Sequence, residues 1–168
     1  MNDYGLEMLR HNNWATLGLI DFIASLPEEA LDATAPGTYG RIRETLVHLV
    51  AAQERYTKTL SGKSPTEAIV NERQGWPGLT TLQEVATDSG RIVEELAEKG
   101  QSGWSFRYQS VSGERWSTQA SVLFAQTVHH ATDHRSQIAT MLSQAGIQPP
   151  DLDVWVWAGA TGREARES

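Results

Sequence analysis

The chain has 168 residues, of which 39% are hydrophobic and 21% charged, a length and balance that suit one globular domain with a substantial core. It has no cysteine, which excludes disulfides, thiolate ligands and a cysteine nucleophile and leaves His, Asp or Glu to hold any metal. A formal net charge of −7 with no Lys/Arg cluster argues against nucleic acid and anionic membrane surfaces as partners.

The N-terminus lacks the basic start and apolar stretch of a secretion signal, and no apolar run reaches about 18 residues, so a cytoplasmic protein without membrane spans is expected. A first helix is predicted over residues 4–26, where Leu6, Leu9, Asn13, Leu17, Ile20 and Ala24 recur at spacings of three and four. Pro27 stops it, and Pro27, Pro36-Gly37 and Gly40 mark a connection. A second helix is predicted over residues 42–60, with Ile42, Leu46, Leu49, Gln53, Tyr56 and Leu60 as its stripe. The Gly62-Lys63-Ser64 that follows is no phosphate loop: that motif needs glycine at position 57, where Thr57 stands, and a preceding strand.

The third helix is expected over residues 81–99, capped by Thr80 or Thr81 with Glu84 and closed by Gly100. Residues 104–116 alternate aromatic and polar side chains and read as a short hairpin or ordered loop. The fourth helix is expected over residues 117–144, with Gly146 and Pro149-Pro150 beyond it. Residues 151–157 read as extended, and residues 162–168 as a frayed end. Six tryptophans, most of them in or near the loops, suit cleft rims, interfaces or the closed ends of a helical core. The sum is an all-α fold. It is a four-helix bundle with one long connection, a short hairpin or ordered loop before the last helix and an extended C-terminal tail, in one domain over residues 1–161.

His130 and His134 stand one turn apart, so both imidazoles leave one face of the fourth helix and can grip one divalent ion. With Phe124 at the centre of the apolar stripe and about 100° per residue, His134 lies about 80° and His130 about 120° to one side, where a cleft wall would be. His48 on the second helix could complete the set, and His129 points elsewhere. Gln126 and Gln137 share the histidine face and could orient ligands or water, while Glu54 or Glu44 could act as a nearby base. The competing reading makes these histidines hydrogen-bonded residues at the core edge, since spacing alone specifies no third ligand. Arg135 falls near the centre of the apolar stripe and calls for a partner, with Glu54, Glu44 and Asp21 as the candidates.

Asn13-Trp14, Leu46-Val47-His48-Leu49, the run His130-x3-His134-Arg135-x-Gln137-Ile138 and the ending Gly146-Ile-Gln-Pro149-Pro150-Asp-Leu-Asp-Val-Trp155 together resemble the DinB/YfiT-like superfamily of four-helix-bundle metalloproteins. The resemblance implies one divalent metal, zinc or nickel, on His48, His130 and His134, and a homodimer. It also implies relatives that include metal-dependent thiol transferases, a thiol-dependent isomerase and hydrolase-like proteins. The expected function is therefore a metal-dependent transferase or hydrolase that activates a substrate thiol or water, with a low-molecular-weight thiol or small electrophile as partner. The catalytic residues are not assigned. The rival is a non-catalytic stress-related binding protein whose metal is structural or vestigial.

Overall fold

A computed structural model of the chain describes residues 3–100, 103–109 and 113–165. The periodic segments form four long helices, α1 (Asp3–Ala24), α2 (Ile42–Leu60), α3 (Leu79–Glu98) and α4 (Ala120–Gln144). α3 and α4 each pack against both α1 and α2, which places α1 and α2 on opposite corners of a four-helix bundle. The connection between α1 and α2 carries a 3-10 turn, Glu28–Asp32, that packs against α2. Among the described residues no helix is long and apolar enough to cross a membrane.

The expected hairpin is present as β1 (Ser105–Gln109) and β2 (Arg115–Gln119), paired antiparallel with Phe106 opposite Thr118. Residues 110–112 of that stretch lie outside the described residues. α1 ends at Ala24, two residues before the expected limit, and three other boundaries differ for a visible reason. α3 starts at Leu79, two residues before Thr81, because Gly78 takes a φ of 90° at its N-cap, a conformation glycine adopts without a steric penalty. α4 starts at Ala120, because residues 117–119 are held in the ladder and the Ala120 N–H donates to the Trp104 carbonyl at 2.8 Å. The tail is extended only as far as Asp153. There its carboxylate accepts from the Trp155 N–H at 2.6 Å and caps α5 (Val154–Ala160). α5 inserts Trp157 against the His11 ring, and the Arg163 guanidinium lies 4.4 Å from the Trp157 ring centroid while pairing with Glu7 at 2.6 Å. Residues 166–168 of the end expected to fray lie outside the described residues.

The core is divided. A larger apolar cluster contains Leu19, Ile20, Leu46, Leu49, Val50, Leu82, Ile138 and Leu142, and a smaller one contains Leu9, Leu60, Val93, Ala120 and Phe124. Along α1, α2 and α3 a buried polar layer separates them, with Asn12, Asn13 and Thr16, then Gln53 and Thr57, then Ser89. α4 adds Arg135, 8% exposed. Its Nη1 donates to Asn12 Oδ1 at 2.7 Å and to Thr16 Oγ1 at 3.0 Å, and its Nη2 donates to Thr132 Oγ1 at 3.2 Å. Asn12 donates onward to Gln53 Oε1 at 3.3 Å, and Gln53 donates to Ser89 Oγ at 3.1 Å. Each of the four long helices thus contributes at least one member to a single network of hydrogen bonds. None of the carboxylates expected to meet Arg135 does so, because amide and hydroxyl oxygens from α1 occupy its donors. Burial pushes the Arg135 pKa down to about 10, so the group stays charged at neutral pH.

The layer also explains Gly90. A Cβ there would stand 2.8 Å from Asn13 Cγ, so only glycine lets Asn13 reach the Gly90 carbonyl at 2.9 Å. Asn12→Leu is expected to lower unfolding stability by about 3 kcal/mol, because the guanidinium keeps its charge and loses its best acceptor. Adding Arg135→Met should restore most of that loss. Urea unfolding of the two variants measures both effects, and an Asn12→Leu protein as stable as the parent would show that the layer carries no weight.

Candidate metal centre

His48 projects from the middle of α2, and His130 and His134 from the middle of α4, on the seam where these two helices pack. The three residues expected from the sequence therefore converge. One ring nitrogen from each lies within 4.8 Å of the others, and His48 Nε2 and His130 Nε2 are 3.0 Å apart. Two nitrogens bound to one tetrahedral zinc at about 2.0–2.1 Å would be about 3.3 Å apart, so the set has the dimensions of a cation site. His134 is buried and the other two are half-buried, while His129 is exposed.

The imidazoles are oriented from behind. His48 Nδ1–H donates to Glu72 Oε2 at 2.9 Å, and His134 Nδ1–H donates to Gln137 Oε1 at 3.1 Å. These bonds leave Nε2 as the lone-pair nitrogen of both rings, the usual device by which a protein presents imidazole to a metal. Tyr39 joins the two supports. Its phenol donates to the same Glu72 Oε2 at 2.9 Å, and its backbone N–H donates to the same Gln137 Oε1 at 3.0 Å. The Tyr39 ring stacks on His48 at 4.0 Å between centroids and meets His134 edge-on at 5.6 Å. Tyr56 meets His130 edge-on at 5.9 Å, and Arg55 pairs with Glu72 at 3.0 Å.

Gln137 thus stands where the helical face put it, against His134. Gln126 does not; it is exposed, one turn before His130, and lines a neighbouring cleft. Glu54 is buried away from the histidines. Its two oxygens accept from the Ile69 and Val70 N–H groups at 2.8 and 3.0 Å, with Lys58 at 3.5 Å. That contact folds residues 61–78 back onto α2 and carries Glu72 to His48. Glu44 caps its own helix by accepting from the Arg41 N–H at 3.0 Å. Sequence reading missed Glu72 and Tyr39. Both lie on connections outside any periodic pattern, and neither carries a local motif that points to a histidine.

Burial, reinforced by the neighbouring His134, His48 and Arg55, pushes the His130 pKa down to about 4. Burial also lowers that of His134, against the opposing effect of its bond to Gln137. Burial alone would raise the Glu72 carboxyl, but the bonds from His48, Tyr39 and Arg55 outweigh it and hold the group below the usual range. At neutral pH His130 and His134 thus offer neutral imidazole nitrogens near the ionised Glu72 carboxylate.

A family model described as the DinB family matches residues 1–165. Protein DinB of Bacillus subtilis (strain 168) is 24% identical over 170 residues, covering 98% of this chain and 99% of that protein. The crystal structure of a DinB-like protein from Bacillus cereus ATCC 10987 superposes with a TM-score of 0.64 at 17% identity, over 88% of this chain and 94% of the other. That likeness reports the shared fold.

His130 has a folded pKa near 4 against an ordinary value of 6.5, so unfolding takes up a proton between those limits. In chelator, stability should therefore be full above about pH 6.5 and decline as the pH falls toward 4, with His134 adding in the same direction. Urea midpoints at pH 7.5 and 5.5 should differ in the parent and differ less in His130→Asn. Identical pH slopes in the two proteins would remove the buried neutral imidazole from the description.

Proposed function

Because the chain belongs to the DinB family, we propose that it binds one divalent metal ion, zinc or nickel, on His48, His130 and His134 and uses it to activate a substrate thiol or water for transfer or hydrolysis. The observation that carries the reading is the cluster itself: three ring nitrogens from two helices within 4.8 Å, in a chain without cysteine. The donor set fits. Three neutral imidazoles leave a divalent ion its full charge and a fourth position for a small molecule, whereas structural zinc sites are usually closed by four protein ligands. A bound cation would supply Lewis acidity, lowering the pKa of a thiol or water placed beside it.

This chain's residues have their own parts. Glu72 and Gln137 hold the His48 and His134 rings with Nε2 forward. Arg55 and Tyr39 hold Glu72 in turn. Tyr39 and Tyr56 wall the rings with aromatic surface and restrict water. The exposed Tyr39 edge and the cleft beside Tyr56 leave two approaches for a small molecule.

The test is a metal count on protein purified without an affinity tag and offered zinc or nickel. About one ion per chain is expected, with most of it lost in His134→Ala. Glu72→Gln should lower affinity about 10–100-fold without abolishing binding, since it removes the acceptor that orients His48. A parent that takes up neither metal would end the proposal. A metal-loaded parent inactive against a panel of thiols with electrophilic acceptors, and against ester and amide substrates, would instead favour the non-catalytic reading.

A further inference from the structure

Beside the histidine cluster lies a cleft of about 680 Å³ between α2, the β1–β2 hairpin and the first turns of α4. This is within the size range of small-molecule sites. Its wall is largely apolar and includes three aromatic rings. Tyr56 stands at the end nearest His130, and Trp104 and Phe106 lie 6.1 Å apart at the hairpin, tilted 67° to one another. Its charged residues are Arg55, Lys63 and Arg107, and among the described residues no Asp or Glu lines it. Neither Lys63 nor Arg107 forms an ion pair among the described residues, while Arg55 shares Glu72 with His48. Two other clefts carry more acid than base: one beside α3 sets Glu54, Glu84 and Asp88 against Lys58 and Lys63, the latter shared between the two clefts, and one beside Trp76 sets Glu44 and Glu72 against Arg43. In a chain of net charge −7, Lys63 and Arg107 beside an apolar hollow that no Asp or Glu lines among the described residues define a local anion preference, Arg55 being already paired with Glu72.

We propose that this cleft binds a small, flat, apolar molecule bearing a carboxylate, with its ring against Trp104, Phe106 and Tyr56 and its charge toward Lys63 and Arg107. The geometry explains each requirement. Aromatic walls favour a flat ring by stacking and edge contacts. Two cations without an ion pair among the described residues can donate charge-assisted hydrogen bonds to a carboxylate, as they cannot to a neutral group. The occupant would lie beside Tyr56, one ring away from His130. That it is the substrate rests on the metal-dependent reading above; that it binds does not.

The experiment is calorimetric titration of 2-naphthoate and of its neutral counterpart 2-naphthalenemethanol into the full chain treated with chelator. The carboxylate should bind about tenfold or more tightly than the alcohol. Lys63→Ala/Arg107→Ala should erase that preference and leave the alcohol unchanged, and Trp104→Leu should weaken both ligands. Lys63→Gln/Arg107→Gln keeps side-chain length and serves if the alanine pair unfolds, with circular dichroism as the check. Equal affinities in the parent, a preference that survives loss of both cations, or no binding of either ligand would overturn the proposal. So would naphthoate binding that appears only after metal is added. That last outcome would leave the metal site standing, just as failure to bind metal would leave naphthoate binding in chelator intact.

Discussion

The rotation of α4 about its own axis decides whether this protein has a site at all, and the buried Arg135 guanidinium sets that rotation. A charged group at the centre of a bundle cannot stay without acceptors, because an unpartnered polar group there costs far more than one in water. Asn12 and Thr16 supply the acceptors from α1, and through Asn12 the constraint passes to Gln53 on α2 and Ser89 on α3. Apolar side chains alone would tolerate a slight turn of α4; directional hydrogen bonds do not. With Arg135 aimed at α1, its neighbour His134 and the residue one turn earlier, His130, lie against α2. Core and site are consequences of one orientation.

A second constraint works on the connections. Glu54 is a buried acid whose two oxygens are both used by backbone N–H groups of the α2–α3 connection. It draws Val70 into the core and sets Glu72 over His48. The α1–α2 connection meets it from the other side with Tyr39. The imidazoles come from helices, where packing holds Cα positions firmly. The groups that aim them come from connections, which are held by a few identifiable hydrogen bonds. This division is common in sites that need both a rigid frame and finely placed polar groups.

What could be read from the sequence follows the same division. Periodicity and stop signals placed α2 at its observed limits and the other long helices within a few residues, because apolar spacing reflects burial directly. The i,i+4 histidines and His48 were legible because helical geometry fixes which residues share a face. The start of α4 was misread since Ser117 to Gln119 can open a helix or end a strand, and the ladder with β1 decides between them. α5 was missed because seven residues rich in Val and Trp look extended unless Asp153 is recognised as a cap. Glu54 was assigned to the wrong task, and Glu72 and Tyr39 to none, because which backbone amides fold back onto a buried acid depends on tertiary closure. Arg135 was correctly read as buried, but the expected carboxylate was replaced by neutral oxygens that sequence spacing does not rank.

Glu72 Oε2 and Gln137 Oε1 each receive two donors, and in both cases one donor is a histidine and the other is Tyr39. Tyr39 therefore spans the seam as a crosspiece, tied at its phenol to the acceptor of one histidine-bearing helix and at its amide to the acceptor of the other. Any shift of residues 38–40 is felt at both rings together. The two imidazoles would gain or lose their alignment as a pair, so that the readiness of the whole cluster follows the state of one short loop.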